Sequence, residues 1–405
     1  MGTHQSLSYS VPFYAPSWGR RELLATLRCL ITGRVVRGPD RQYLAHQVGE
    51  FLELPYVLLV NRGRCAVELA VRALEIGETD EVVLPSFLCE SVLQSVRKTG
   101  ARPMLADLGD GFHVDPGSIR AKLTARTKCV IVPHLFGSTA PIDAIEKDLE
   151  GTRVALIDDA AQAFGARLGI RRAGTFGACG VISTGLGKPL EGTAGGALVT
   201  SNRALFERAL THLKGEETPV VVLRRALAGW VWHRMRRYTL PLKARSDQMF
   251  STDQTSRIRP RAMSNLDAAI AIQQLQSLQQ SVELRRNRAA ELFAVLGDAG
   301  EYRVSDLSAS SLILTAALLL PANGPKTKEV IAALWRLGIE AREGYEPLHH
   351  KLGLPPEEFP NTERIRERLV LIPLTRPLDG RQRTALARII HEPRAARWNG
   401  GGRSA

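Results

Sequence analysis

Between Arg41 and Val199 short apolar runs bounded by turn residues alternate with helical patterns, and this alternation restricts the chain more than any other feature. YVLLV (56–60), EVVLP (81–85), RPMLAD (102–107), KCVIVPH (128–134), RVALIDD (153–159), CGVIST (179–184) and GALVTS (196–201) read as strands. Between them, CAVELAVRALEIG (65–77) and CESVLQSVRKTG (89–100) carry apolar residues at i, i+3 and i+4 and close on glycine, as helices do. Strand and helix in turn require crossover connections. The expected class is α/β, with a mostly parallel sheet covered by helices on both faces. In such sheets ligands gather at the carboxyl ends of the strands. Chemistry is therefore sought where LLV, LP, VPH, IDD and IST finish.

Beyond Thr200 the pattern changes. Residues 203–214 read as a helix, and 215–260 as an irregular basic stretch containing Trp230, Trp232 and Tyr238. Arg224, Arg225, Arg234, Arg236, Arg237, Lys243 and Arg245 fall in this stretch with no acid among 223–245. One long helix is expected from Ser264 to about Leu296, a strand over 311–320, and helices at 326–337 and 380–391. The division expected is an N-terminal segment (1–45), a large domain (46–214), a basic aromatic insertion or linker (215–260), a smaller α+β C-terminal domain (261–392) and a disordered tail (393–405).

The 405 residues, 44% of them hydrophobic, suffice for a sizeable core over two domains. A net charge of +13 suits nucleic acid, an anionic surface or phosphorylated ligands alike. No helix-turn-helix, zinc-finger or aromatic RNA motif accompanies it, so no nucleic acid is expected as a partner. The five cysteines lack CxxC spacing, which argues against a disulfide framework and a structural zinc. The start lacks the apolar region of a signal peptide, and no run of about eighteen apolar residues exists. The expected compartment is the cytoplasm.

Three strand ends carry a recognisable set of groups. RVALIDD ends in Asp158 and Asp159, and CGVIST ends in Ser183 and Thr184 ahead of the glycine-flanked Lys188. LLV runs through NRGRCAVELA into a helix start at Gly63–Arg64. A small-residue turn at a helix start offers free amides and a favourable dipole to an anion. Arg64 and the Ser183 hydroxyl add a charge and a donor. Lysine, opposed carboxylate and phosphate cradle are the parts of a pyridoxal phosphate (PLP) site: the lysine forms the Schiff base, and the carboxylate keeps the ring nitrogen protonated. Each part also has an ordinary reading, as helix cap, solvated lysine, turn serine or surface arginine, and spacing alone leaves both readings open. Rival motifs fail. GLGKP lacks the first glycine and the Ser/Thr of a P-loop, GTFGACG has the wrong spacing for a dinucleotide fingerprint, and no G-x-S-x-G is present. His349 and His350 are adjacent rather than at i, i+4, so no metal is expected.

Six ordered segments resemble the DegT/DnrJ/StrS-type sugar aminotransferases, which are fold-type I PLP enzymes. IDDAAQAFGA is similar to the family's (E)DAAQAHGA, and EVVLPSFLCESVLQSVRKTGARPMLADL to its GDEV-PSF…GA-PVF-D passage. VPHLFGSTAPIDAI, ISTGLGKPLEGTAGGALVTSN, RAMSNLDAAIAIQQLQSL and EPLHHKLGLPPEEFPNTERIRERLVLIPL match further family segments in order. The resemblance implies that Lys188 binds PLP covalently and shuttles a proton between the donor Cα and the cofactor. It implies that Asp159 pairs with the pyridine nitrogen, that Gln162 reaches the ring, and that Ser183 with the Gly63–Arg64 backbone binds phosphate. It further implies that His134 lines the pocket, that Cys89 occupies the ring-stacking position, and that the enzyme is a homodimer with sites at the subunit interface.

The chain also departs from the family. Arg62-Gly63-Arg64 replaces Ser-Gly-Thr, Cys89 replaces the stacking aromatic, Phe164 replaces a histidine, and Ala194 replaces the glutamate of GEGG. The family's asparagine and arginine reaching from the partner subunit fall at Pro260 and Ala262, where Arg259 or Arg261 can substitute. Lys188 argues against the family's dehydratase branch, which has histidine there.

The activity implied is transamination from an amino acid, by family habit glutamate, to a keto sugar, nucleotide-linked and bound for a surface glycan or secondary metabolite. Arg342 is a candidate clamp for substrate anions. Elimination or dehydration on PLP, and a non-catalytic regulatory or binding role, are the alternatives. The segment 223–245 reads either as an insertion with solvated arginines or as a peripheral anchor, Trp face inward, on an anionic membrane.

Overall fold

The computed structural model describes residues 9–15, 18–235, 258–296, 303–304 and 310–391. The tail at 393–405, expected to be disordered, and the 236–245 part of the basic stretch lie outside these residues. All seven expected strands of the large unit are present, with ends within two residues of expectation: β1 (Tyr56–Val60), β2 (Glu81–Pro85), β3 (Arg102–Ala106), β4 (Thr127–Pro133), β5 (Ala155–Asp159), β8 (Cys179–Ser183) and β9 (Gly196–Thr200), with a short hairpin of β6 (Arg167–Leu168) and β7 (Arg171–Arg172) between β5 and β8. They form a seven-stranded sheet of order β1-β9-β8-β5-β4-β2-β3. β2, β3, β4, β5 and β8 pair in parallel, while β9 runs antiparallel to both its neighbours.

The strands are apolar on both sides because both sides are covered. Successive residues face opposite ways. Val82, Leu84, Ile131 and Val181 pack with helices Gly63–Ala73, Glu90–Arg97 and Arg203–Thr211. Their neighbours Val83, Val130 and Val132 pack with helices Pro116–Lys122 and Ile142–Leu149, and Ile182 with helices Asp40–Leu52 and Asn265–Gln276. With the faces closed, the carboxyl ends of β2, β4, β5 and β8 are the positions left for a ligand.

A three-stranded antiparallel sheet of β10 (Arg303–Val304), β11 (Ala316–Leu319) and β12 (Leu369–Ile372) carries helices Leu278–Leu296, Thr327–Arg336 and Gly380–His391 around a second core. Val11 bridges to Ile339, so the N-terminal segment adds to this unit. Three sequence expectations are corrected. The long helix from Ser264 is two helices, because Ser277 leaves helical geometry at ψ 6° and turns its hydroxyl onto the Gln273 carbonyl. The strand over 311–320 is confined to 316–319. Its first half instead bonds to the loop after β4, Leu312 N to Gly137 O and Leu314 N to Phe136 O, with Ile313 at φ 49°. The stretch from 215 is not irregular: Pro219–Met235 is a helix. No helix among the described residues is long and apolar enough to cross a membrane.

Candidate active site

Asp159 ends β5, is 6% exposed, and accepts the Ala161 N–H at 3.0 Å. Burial pushes its carboxyl above the ordinary aspartate value; the Ala161 amide and then the Lys188 ammonium pull it partly back. Asp159 and Lys188 are thus brought to one place, close enough to feel each other's charge. Lys188 itself makes no side-chain hydrogen bond or ion pair among the described residues. Its loop turns at Gly187, φ +70°, where an added Cβ would sit 2.3 Å from the Tyr14 ring. Only glycine lets Tyr14 lie on the lysine loop.

The helix Gly63–Ala73 starts beneath the same strand ends and has no side-chain cap, so its first amides remain available to an anion. A Cβ on Gly63 would be 2.8 Å from Ser183 Cβ and 3.0 Å from its Oγ, so this contact depends on the glycine. Neither the Ser183 hydroxyl nor the half-buried Arg64 guanidinium has a side-chain partner among the described residues. Gln162 donates to the Tyr345 hydroxyl at 2.7 Å and accepts the Phe136 N–H. Cys89 caps the helix Glu90–Arg97, its Sγ 3.1 Å from Ser91 Oγ.

Two expected residues are placed otherwise. The ring of His134 is fully enclosed, and its Nδ1 accepts the Ala140 N–H at 2.8 Å, which puts the proton on Nε2 facing Asp158 Oδ1 at 2.9 Å. With both nitrogens directed inward, it does not line an open cleft; it backs the Asp158–Asp159 strand end. Asp158, in turn, is bound by the Gly174 and Phe176 amides, while Asp159 is the carboxylate on which the Lys188 charge acts. Arg342 is already committed: it donates to Glu340 at 2.8 Å and lies over the Phe13 and Tyr14 rings. As for the substitutes near Pro260, Arg261 donates to the Glu216 carbonyl while Arg259 is exposed. His349 and His350 both reach one Glu363 oxygen, at 2.9 and 2.7 Å, and their other nitrogens meet Ser86 and Glu346.

Tyr14 and Tyr345 were not singled out in the sequence. Burial raises the Tyr345 phenol well above its ordinary value, with the charges of Cys89, Tyr14 and Asp159 acting on it. Its segment GIEAREGYEPLHH is brought to the site by the Gln162–Tyr345 bond and by Arg342 lying over Tyr14, which itself meets Gly187.

A family model described as the DegT/DnrJ/EryC1/StrS aminotransferase family matches residues 17–391. The L-glutamine:2-deoxy-scyllo-inosose aminotransferase of Micromonospora echinospora is 31% identical over 262 residues, which span 64% of this chain and 58% of that protein. Among solved structures, Spr1654 from Streptococcus pneumoniae in its PMP form superposes with a TM-score of 0.77 at 18% identity, covering 94% of this chain and 97% of that one. The Escherichia coli GDP-4-keto-6-deoxy-D-mannose-3-dehydratase with bound hydrated PLP gives 0.76 at 18% identity, covering 95% and 100%. PLP is the cofactor this fold and family carry. The chain belongs to the DegT/DnrJ/EryC1/StrS aminotransferase family and has the type I fold of PLP-dependent transferases.

Proposed function

We propose that this protein is a PLP-dependent aminotransferase that moves an amino group from an amino acid, glutamate in this reading, to a keto sugar, nucleotide-linked, for surface glycan or secondary-metabolite synthesis. One observation carries the reading: a lysine amine without a hydrogen-bond or ion-pair partner among the described residues acts by its charge on a buried carboxylate, at strand ends that also hold an uncapped helix start. The residues fit the cofactor. A carboxylate buried without a paired cation is costly, and a protonated ring nitrogen is the cation Asp159 lacks. The Ser183 hydroxyl, the Gly63–Arg64 amides and the Arg64 guanidinium suit a phosphate dianion.

PLP supplies an aldehyde for amines and an electron sink for the bonds at the donor α-carbon. Lys188 takes and returns the proton at that carbon. Gln162 and Tyr345 fix the side of the cleft against the ring, with Cys89 in place of an aromatic. A lysine rather than a histidine at 188 favours amino transfer over dehydration. The reading includes a cytoplasmic homodimer, and a PLP-binding unit at 46–214 with a smaller unit at 261–392.

The test is a pair of half-reactions. Protein loaded with PLP is mixed with candidate amino acids while the visible band is followed, then with nucleotide-linked keto sugars while the aminated product is identified. Borohydride is expected to fix PLP on Lys188, and Lys188→Ala to abolish both half-reactions. Failure to take up PLP, or a dehydrated sugar without nitrogen, would sink the proposal.

A further inference from the structure

Helices Arg20–Ile31 and Pro219–Met235 contribute to one core and meet where Trp230 reaches Trp18 and Thr26, and each is apolar on two faces. Their inward residues Ala25, Cys29, Val222 and Ala226 share a core with Leu266, Ala269 and Ile270. Trp230 turns inward too: its ring centroid is 5.2 Å from that of Trp18, and its indole N–H reaches Thr26 Oγ1. Arg225 also points inward, paired with Glu217 and with Asp267. The face expected to be presented by Trp and every arginine of this stretch is therefore partly used inside the protein.

What remains outside is a different face. On the first helix Leu24, Leu27 and Ile31 are 65%, 42% and 84% exposed; on the second Val220, Leu227 and Val231 are 72%, 64% and 40% exposed. Leu24, Leu27 and Ile31 are spaced by three and four residues, and Val220, Leu227 and Val231 by seven and four, so each set lies along one helix face, with the exposed Arg224 between Val220 and Leu227. Such a stripe on each of two neighbouring helices is more than scattered surface leucine.

Charge decides between occupants. Arg20, Arg21, Arg34 and Arg224 are exposed and unpaired among the described residues. The single acid between Trp18 and Arg37 is Glu22, 4% exposed and bound to Gly19 N and Gln274; residues 218–235 contain none. A second copy of the chain on a two-fold axis would set this patch against itself, arginine facing arginine with no acid to receive either. An anionic bilayer surface offers an apolar boundary for leucine and valine, with phosphates at the height of the flanking arginines.

We infer that the outer faces of these two helices form a docking surface for an anionic lipid membrane. The surface lies on elements separate from the strand ends that hold Lys188, so it stands or falls independently of the catalytic reading. The full chain is tested by co-sedimentation with vesicles of phosphatidylcholine alone and of phosphatidylcholine with phosphatidylglycerol, at low and high salt, with mass by light scattering in parallel. Wild type is expected on the phosphatidylglycerol vesicles at low salt, and largely free on phosphatidylcholine or at high salt. Arg20→Gln/Arg21→Gln/Arg224→Gln, three exposed and unpaired positions, is expected to weaken binding roughly a hundredfold, about fivefold per arginine. Leu24→Glu/Leu27→Glu/Leu227→Glu is expected to abolish it without changing mass. No binding to phosphatidylglycerol vesicles, or binding indifferent to both variants, overturns the inference. So does a leucine variant that turns a wild-type oligomer into monomers, which would make the face a subunit contact.

Discussion

Replacing Asp159 with asparagine separates what this carboxylate costs the folded chain from what it contributes to cofactor binding. The residue is 6% exposed, its Oδ1 accepts one hydrogen bond from Ala161, and no cation pairs with it among the described residues. An ionised carboxylate has about four acceptor sites, and one protein bond fills one of them. Asparagine keeps the bond from Ala161 and removes the charge. Relief of an under-bonded buried group is worth ~1–3 kcal/mol, so the cofactor-free variant should be more stable than wild type by about 2 kcal/mol at neutral pH. The pH dependence has a definite sign. The folded carboxyl is held above its ordinary 3.8, so its proton stabilises the fold at low pH and that contribution is lost as pH rises through the raised value. The gap between variant and wild type should be near zero at the acid end and open as pH rises. With PLP the order reverses: losing one charge-assisted hydrogen bond costs ~1.5–3 kcal/mol, roughly a 10- to 150-fold weaker affinity. Thermal unfolding of cofactor-free protein across pH, together with PLP titration by visible absorbance, reads both. A variant less stable than wild type at neutral pH that still binds PLP with wild-type affinity would refute the reasoning.

Gly187→Ala places a methyl group against the Tyr14 ring at a positive φ, and should cost ~1–2 kcal/mol. Part of that loss should return in Gly187→Ala/Tyr14→Ala, and an additive double-mutant cycle would show that the two residues are not coupled. Asp267 is fully buried and takes hydrogen bonds from Arg225, Thr193 and Ser264. Asp267→Ala strands Arg225 and should cost ~3–5 kcal/mol by urea unfolding; a loss below ~1 kcal/mol would show that Glu217 alone suffices for the arginine. Tyr345→Phe removes the hydroxyl that receives Gln162 and should lower kcat about tenfold, the worth of one ~1.4 kcal/mol hydrogen bond. PLP content should not change, and unchanged kcat would exclude a positioning role.

The main sheet was legible because its strands are buried on both faces: EVVLP or CGVIS needs no alternation to be read when glycine, proline and charge bound it. Strand ends then pointed to Asp159, Ser183 and Lys188; Asp159 feels the Lys188 charge, and Ser183 lies against Gly63 at the helix start. Helix Pro219–Met235 was illegible for the opposite reason. PVVVLRRALAGWVWHRM is apolar around most of its circumference, since Val222 and Ala226 face the core while Val220, Leu227 and Val231 face outward, so no single stripe marks a helical period. Arg342 failed as a free clamp through a local rule that spacing does express: in extended backbone, residues two apart share a face, and Glu340 is two residues away. The edge bridge of Arg342 to Leu371 keeps that stretch extended and the pair together. His134 needed tertiary structure, because only the fold brings the Ala140 amide to one nitrogen and Asp158 to the other. Arg342 and His134 thus differ from expectation because each faces a carboxylate of the folded chain, Glu340 and Asp158. Lys188 and Arg64 differ from these two, because neither side chain has a hydrogen-bond or ion-pair partner among the described residues.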